Sequence, residues 1–154
     1  MTLRARDLVL EGFASGRDAA LALARVATGL FLVHGVWDNV IDPERMAEFV
    51  GFMRASGFAA PEWLAPFSVY TQLAAGVMLV LGLLTRWAGL IVTATFVVGL
   101  WMVHWEQTFR EWWPALSLVL LGAFFVTFGG GRLALDRLLL RAHRTMEGTG
   151  SRAG

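Results

Sequence analysis

His34 and Asp38 stand four residues apart on one apolar stretch, and His104 closes another. Residues at i and i+4 share a helix face. A carboxylate there can accept an imidazole N–H, fix the ring's tautomer and raise its basicity. Gln72 projects from a third apolar stretch, with Ser68 one turn before it on the same face. Trp101 lies just before His104, and Ser117 brings a fourth stretch to the same level. His34, Asp38, Gln72, Trp101, His104 and Ser117 are therefore the candidate pocket residues.

Three chemistries fit this set. The groups can be structural, with His and Gln hydrogen-bonding across helices and the tryptophans anchoring at an interface. They can receive a quinone headgroup, whose carbonyls need donors beside an aromatic wall, and a His–carboxylate pair can pass protons onward. Or His34 and His104, at matching depth on two helices, can be the axial ligands of a b-type haem. Haem is the less supported cofactor, since two such histidines are necessary and far from sufficient. A metal site is weaker still: His143 lies in the tail and the chain has no cysteine. Zero Cys also excludes disulfides, iron–sulfur clusters and a Cys-x-x-Cys relay.

The elements that must carry these residues are membrane spans. The chain of 154 residues is 56% hydrophobic with glycine excluded, and only 16% is charged. Soluble domains run at about 45–50% apolar with glycine included and about 25% charged. Nucleic-acid coating and a soluble enzyme are both poorly served by this composition. Four apolar runs stand out: Ala19–Trp37, Pro66–Leu84, Trp87–Val103 and Trp113–Phe128. Each approaches the roughly 20 residues that a helix needs to cross a hydrocarbon core. None alternates with period two, so a barrel is excluded, and helices satisfy their own backbone in lipid. The expected fold is an all-α bundle of four transmembrane helices. The first run does not read as a removable signal peptide, because eighteen residues with six charges precede it and no small-residue cleavage site follows.

Charge predicts orientation. There is no lysine, so arginine alone maps the basic residues. Four spans put both tails and the Thr85-Arg86 turn on one side, with ten arginines. The other side has three, Arg45, Arg54 and Arg110, and most of the acids. The positive-inside rule then makes both termini cytoplasmic. Six of the seven tryptophans crowd the opposite boundary, more than anchoring requires.

Between the first two spans, Asp42 and Pro43 read as a helix cap and first position. Met46, Phe49, Val50 and Met53 follow at i, i+3, i+4 and i+7. This predicts an amphipathic helix lying on or lidding the bundle, broken by Gly57 and Pro61. A faint repeat is visible too. Val33-His34 with Asp38 echoes Val103-His104 with Glu106, and Glu62-Trp63 with Pro66 echoes Glu111-Trp112 with Pro114. Recurrence of Trp, Pro and Glu at helix entries explains the echo equally well. The expected organisation is a cytoplasmic segment 1–18, a membrane domain 19–140 and a disordered tail 141–154.

Arg25 lies about two turns into the first span. At the bilayer centre it would cost about 2.5–3.5 kcal/mol. It is expected to snorkel to the headgroups or pair with Asp18. Arg132, Arg137 and Arg141 follow a triple glycine on a leucine-rich segment and are also expected at anionic lipid.

Several of these residues resemble the DoxX family. They are Arg25 with Gly29, His34-Gly35, Gly76, the Gly82-Leu83-Leu84-Thr85-Arg86 turn, His104, and the close Gly129-Gly130-Gly131-Arg132-Leu133-Ala134-Leu135-Asp136. The last is similar to the family's Gly-x-Gly-Arg-x-Ser-Leu-Asp. The resemblance spans roughly residues 19–140. It implies a four-helix inner-membrane protein related to thiosulfate:quinone oxidoreductase small subunits, or a membrane partner of a redox enzyme. Two departures matter: Gln72 where many members carry Glu, and Asn39 where many carry Lys. The expected function is a small subunit or partner of a quinone-linked redox system. A non-catalytic scaffold recruiting a redox or stress-response partner is the alternative, and a small-solute transporter the third. Lipid is an expected partner, a homo-oligomer is compatible with the sequence, and nucleic acid is not expected.

Overall fold

The structure, a computed structural model, describes residues 16–105 and 107–137. Expectations that fall on residues 1–15, Glu106, Arg141 and the rest of the tail lie outside the described residues. Five helices follow in order: α1 Arg17–Ile41, α2 Pro43–Ala55, α3 Pro61–Leu81, α4 Thr85–Gly99 and α5 Phe109–Phe128. α4 runs on directly into a π-helical segment, Leu100–His104. No strand occurs among the described residues. Four units are long and apolar enough to cross a bilayer: α1 with 25 residues, α3 with 21, α4 plus its π segment with 20, and α5 with 20. Leu23, Phe31, Val97 and Leu120 are exposed on their flanks, as suits helices solvated by lipid tails. The chain is an all-α membrane protein.

Each span starts before its apolar run, and α3 stops at Leu81, short of the expected Leu84. α1 continues to Ile41, one turn past Trp37. Pro61, expected to break the chain, instead opens α3 at its first turn, where a missing N–H is one of the unpaired donors anyway. α5 starts at Phe109 because Glu111 reaches back to Thr108, accepting from its N–H at 2.9 Å and its hydroxyl at 2.8 Å.

α2 forms as its pattern predicts. The Asp42 carboxylate accepts from the Glu44 N–H at 2.9 Å, and Pro43 takes the first position. Met53 is buried, while Met46, Phe49 and Val50 are half-buried. Arg45 pairs with Glu48 on its exposed side at 2.9 Å. Arg54 pairs with Glu62, tying the end of α2 to the start of α3. The Asn39 amide donates to the Arg45 carbonyl at 3.1 Å and fastens α2 to α1. α2 is thus a lid strapped to the bundle at both ends.

Hydropathy alone does not set helix order, and glycine does much of it here. α1 packs along α3, and α4 packs along α5. A β-carbon on Gly29 would lie 2.6 Å from the Gly76 carbonyl oxygen, and one on Gly76 would lie 2.9 Å from that of Gly29. The α4–α5 pair repeats the device: a β-carbon on Gly89 would lie 2.7 Å from the Gly122 carbonyl oxygen, and one on Gly122 would lie 2.8 Å from that of Gly89. Backbones this close exclude any side chain and maximise dispersion contact where lipid offers no hydrophobic drive. The two halves share this packing device. A core of Leu32, Ala75, Leu79, Ala88, Val92, Leu118 and Phe125 joins them. These residues lie mostly toward the end bearing Arg17, the 82–86 turn and Phe128, called here the terminal end. The opposite end, covered by α2, is the lid end.

Candidate functional site

At the terminal end most polar residues fasten chain segments together, although Arg25 Nε and the Thr85 hydroxyl are buried without a partner. α3 stops at Gly82, whose φ of 69° is left-handed, and Leu84 also takes a left-handed φ of 49°. α4 therefore begins with no local side-chain cap. Asp136 supplies one from across the sequence. Its carboxylate accepts from the N–H groups of Leu84 at 2.5 Å and Thr85 at 2.9 Å, and its own N–H donates to the Gly82 carbonyl at 2.9 Å. A carboxylate at a helix N-terminus also meets the positive end of the helix dipole.

Arg25 completes this knot. It is only 3% exposed, and its guanidinium donates to the carbonyls of Gly130 at 2.9 Å and Leu133 at 3.2 Å. A side chain at position 82 would collide with that guanidinium, so Gly82 both turns the chain and admits the arginine. The headgroup contact expected of Arg25 gives way to backbone contact. The loop after α5 presents carbonyls nearby, and a buried guanidinium needs acceptors on its own level. Asp18 is taken by Arg132 instead, accepting from its N–H at 3.0 Å and approaching its Nε at 3.7 Å. Arg132 and Arg137 remain exposed. Arg86 donates to the Val126 carbonyl at 2.7 Å. Most of the residues that carry the family resemblance thus converge on the joint holding the 129–137 segment.

The lid end is built differently. Here α3 and α4 separate around a cleft of about 740 Å³. Phe49, Phe52 and Met53 of α2 form its lid, and Phe58 closes one edge. Phe67, Ser68, Thr71 and Gln72 line it from α3; Thr95, Gly99, Met102 and His104 line it from α4 and the π segment. The Gln72 amide donates to the Ser68 hydroxyl oxygen at 3.2 Å. Thr71 donates to the Phe67 carbonyl at 2.5 Å. His104 Nδ1 is 2.6 Å from Gln107 Oε1. The walls are otherwise apolar, so a few polar groups sit in a mostly hydrophobic hollow.

The π segment explains how His104 reaches this hollow. Thr95, Val98, Gly99 and Met102 follow one helical face. Continued in α form, that face would pass beyond Met102 to residue 105 or 106, with His104 turned away. A π turn takes more residues per revolution and rotates Val103 and His104 back to the cleft. No pattern in the sequence announced this segment.

The six candidate pocket residues do not form one site. Gln72 and His104 line the cleft. Asp38 lies in a separate shallow hollow of about 400 Å³ with Asn39, Arg45 and Glu48. Ser117 donates to its own helix, to the Pro114 carbonyl at 2.7 Å. Trp101 packs on Trp105, ring centres 4.7 Å apart, on the exposed flank. His34 is exposed and does not line the cleft.

His104 lines the cleft and His34 does not, so the structure does not bring the two rings together as axial ligands of one haem. Among the described residues, no group of three or more His, Asp or Glu is placed to hold a metal ion. Ser68, Thr71 and Thr95 join the site instead. Ser68 was legible as the residue one turn before Gln72; Thr95 required knowledge of which face of α4 opens.

Comparison with known proteins gives one positive finding. A family model described as DoxX matches residues 20–105, from the start of α1 through the π segment. No curated protein and no solved structure matches the chain. The match covers the lid, the α1–α3 glycine crossing and both cleft walls, while α5 and the 129–136 close follow it in the chain. With four spans, the Gly82–Arg86 turn and more than half of its length under that model, the chain belongs to the DoxX family.

Proposed function

We propose that the chain is a small membrane subunit of a quinone-linked redox system, and that its lid-end cleft receives the quinone headgroup. The observation that carries this reading is the division within the cleft. Its volume of about 740 Å³ falls in the range of small-molecule pockets, about 300–1,000 Å³. Aromatic and aliphatic walls suit a ring and an apolar tail, while Ser68 and Gln72 carry donors for its oxygens and His104 adds a polar ring to the lining. A bound quinone would supply two-electron, two-proton chemistry; the residues here hold its oxygens and orient its ring. With no cysteine in the chain, electrons have no thiol route through the protein itself, which fits a subunit serving a redox partner.

The arginine distribution supports both termini in the cytoplasm of a bacterial inner membrane, with α2 facing outward. Arg132 and Arg137, exposed at the terminal end, are then placed for anionic headgroups. Purification in mild detergent followed by solvent extraction tests the ligand. The wild type should carry, or take up from added quinone, about one equivalent per chain, and Gln72→Leu should lose it. A wild-type protein that takes up none under saturating quinone refutes the proposal.

A further inference from the structure

The hydrogen-bond state of the cleft points beyond a quinone-type ligand in general to one of its redox forms, and so rests on the reading above. Gln107 Oε1 is a carbonyl oxygen and can only accept. Its 2.6 Å contact with His104 Nδ1 therefore places the proton of a neutral His104 on Nδ1. Gln107 is not part of the cleft lining, whereas His104 is. The ring nitrogen left for a ligand is Nε2, and in this tautomer it is a bare acceptor. Across the cleft the Thr71 hydroxyl proton is already given to the Phe67 carbonyl, leaving that oxygen only lone pairs. One Gln72 amide proton is given to Ser68; the other, like the Ser68 hydroxyl proton, can serve a ligand oxygen of either redox form, while Gln72 Oε1 is an acceptor.

We infer that the cleft selects the hydroxyl-bearing, reduced form of the ligand, a hydroquinone, over the quinone. A hydroquinone donates an O–H to His104 Nε2. A quinone carbonyl at the same place would set two acceptors against each other, a contact that makes no hydrogen bond. Gln107 is then a positioning residue: it never touches the ligand but fixes which form His104 accepts. The π segment is part of the same device, because it turns His104 inward while leaving Nδ1 within reach of residue 107.

The test is equilibrium binding of a decyl-substituted benzoquinone and its hydroquinone to the full chain in nanodiscs, the hydroquinone kept reduced under anaerobic conditions. The hydroquinone should bind about tenfold more tightly, the effect of about one good hydrogen bond against a repulsive contact. Gln107→Leu frees the tautomer and should narrow that ratio toward unity while the protein still binds both forms. His104→Phe should also remove the preference, mainly by weakening hydroquinone. Equal binding of the two forms by the wild type, or tighter quinone, overturns the inference and leaves the proposed quinone site standing. An unchanged ratio in Gln107→Leu overturns it also. Binding of neither form removes the quinone reading, and this inference with it.

Discussion

At the terminal end, Arg25, Asp18 and Asp136 each meet backbone groups or an opposite charge brought from more than fifty residues away. At the lid end, Gln72 and His104 each have one near neighbour in sequence as partner, and their remaining valences face a cleft. Both ends hold polar groups on apolar helices, yet the first end uses most of them to join distant chain segments, while the cleft of the second keeps groups of Gln72 and His104 for something else. Polar groups within a membrane are costly wherever they occur. The useful question about each is whether the protein itself satisfies it.

That contrast can be broken most severely at the glycine crossings. Gly89→Leu should prevent α4 and α5 from closing, since the new side chain meets backbone; monodisperse protein on size exclusion should fall to near zero. Gly29→Leu should do the same to α1 and α3. Arg25→Ala should come next, removing two charge-assisted hydrogen bonds at about 1.5–3 kcal/mol each and leaving Gly130 and Leu133 carbonyls unpaired. Thermal unfolding in detergent should show a clear drop, with Arg25→Lys in between. Asp136→Ala loses the cap of α4 and should cost about 1–2 kcal/mol by the same assay.

The lid end should answer in the opposite sense. Gln72→Leu should change stability by less than about 1 kcal/mol while abolishing ligand retention. The smallest effect is expected at Gly51, which has open space around it in α2. Gly51→Ala should stabilise by about 0.5–1 kcal/mol through helix propensity. If Gln72→Leu were as destabilising as Arg25→Ala, the two ends would not differ in kind.

Much of this was readable from local pattern. The four spans follow from runs of apolar residues, and α2 follows from Asp42-Pro43 and the Met46, Phe49, Val50, Met53 stripe. Length and periodicity are properties of a segment, so sequence carries them. The partners of Arg25 and Asp136 are properties of the folded joint. Nothing near Leu84 shows that its helix is capped from position 136. His34 and His104 look alike in sequence because each follows a valine and precedes an acid. They differ in the structure because α1 continues to Ile41, while α4 gives way at Gly99 to the π segment that ends on His104. Of the candidate pocket, Gln72 and His104 share the cleft; Asp38 was joined to His34 by its i+4 spacing, and Ser117, Trp101 and His34 were grouped with the cleft residues by depth, which does not fix the face each presents.

The most direct measurement is photolabelling of the wild-type protein in nanodiscs with an azido-quinone, followed by peptide mapping. Label should fall on α3 between Phe67 and Gln72 and on Gly99–His104, and excess unlabelled ligand should compete it away. Competable label on Arg25 or on residues 129–136, with none in the cleft, would contradict the assignment of binding to the lid end.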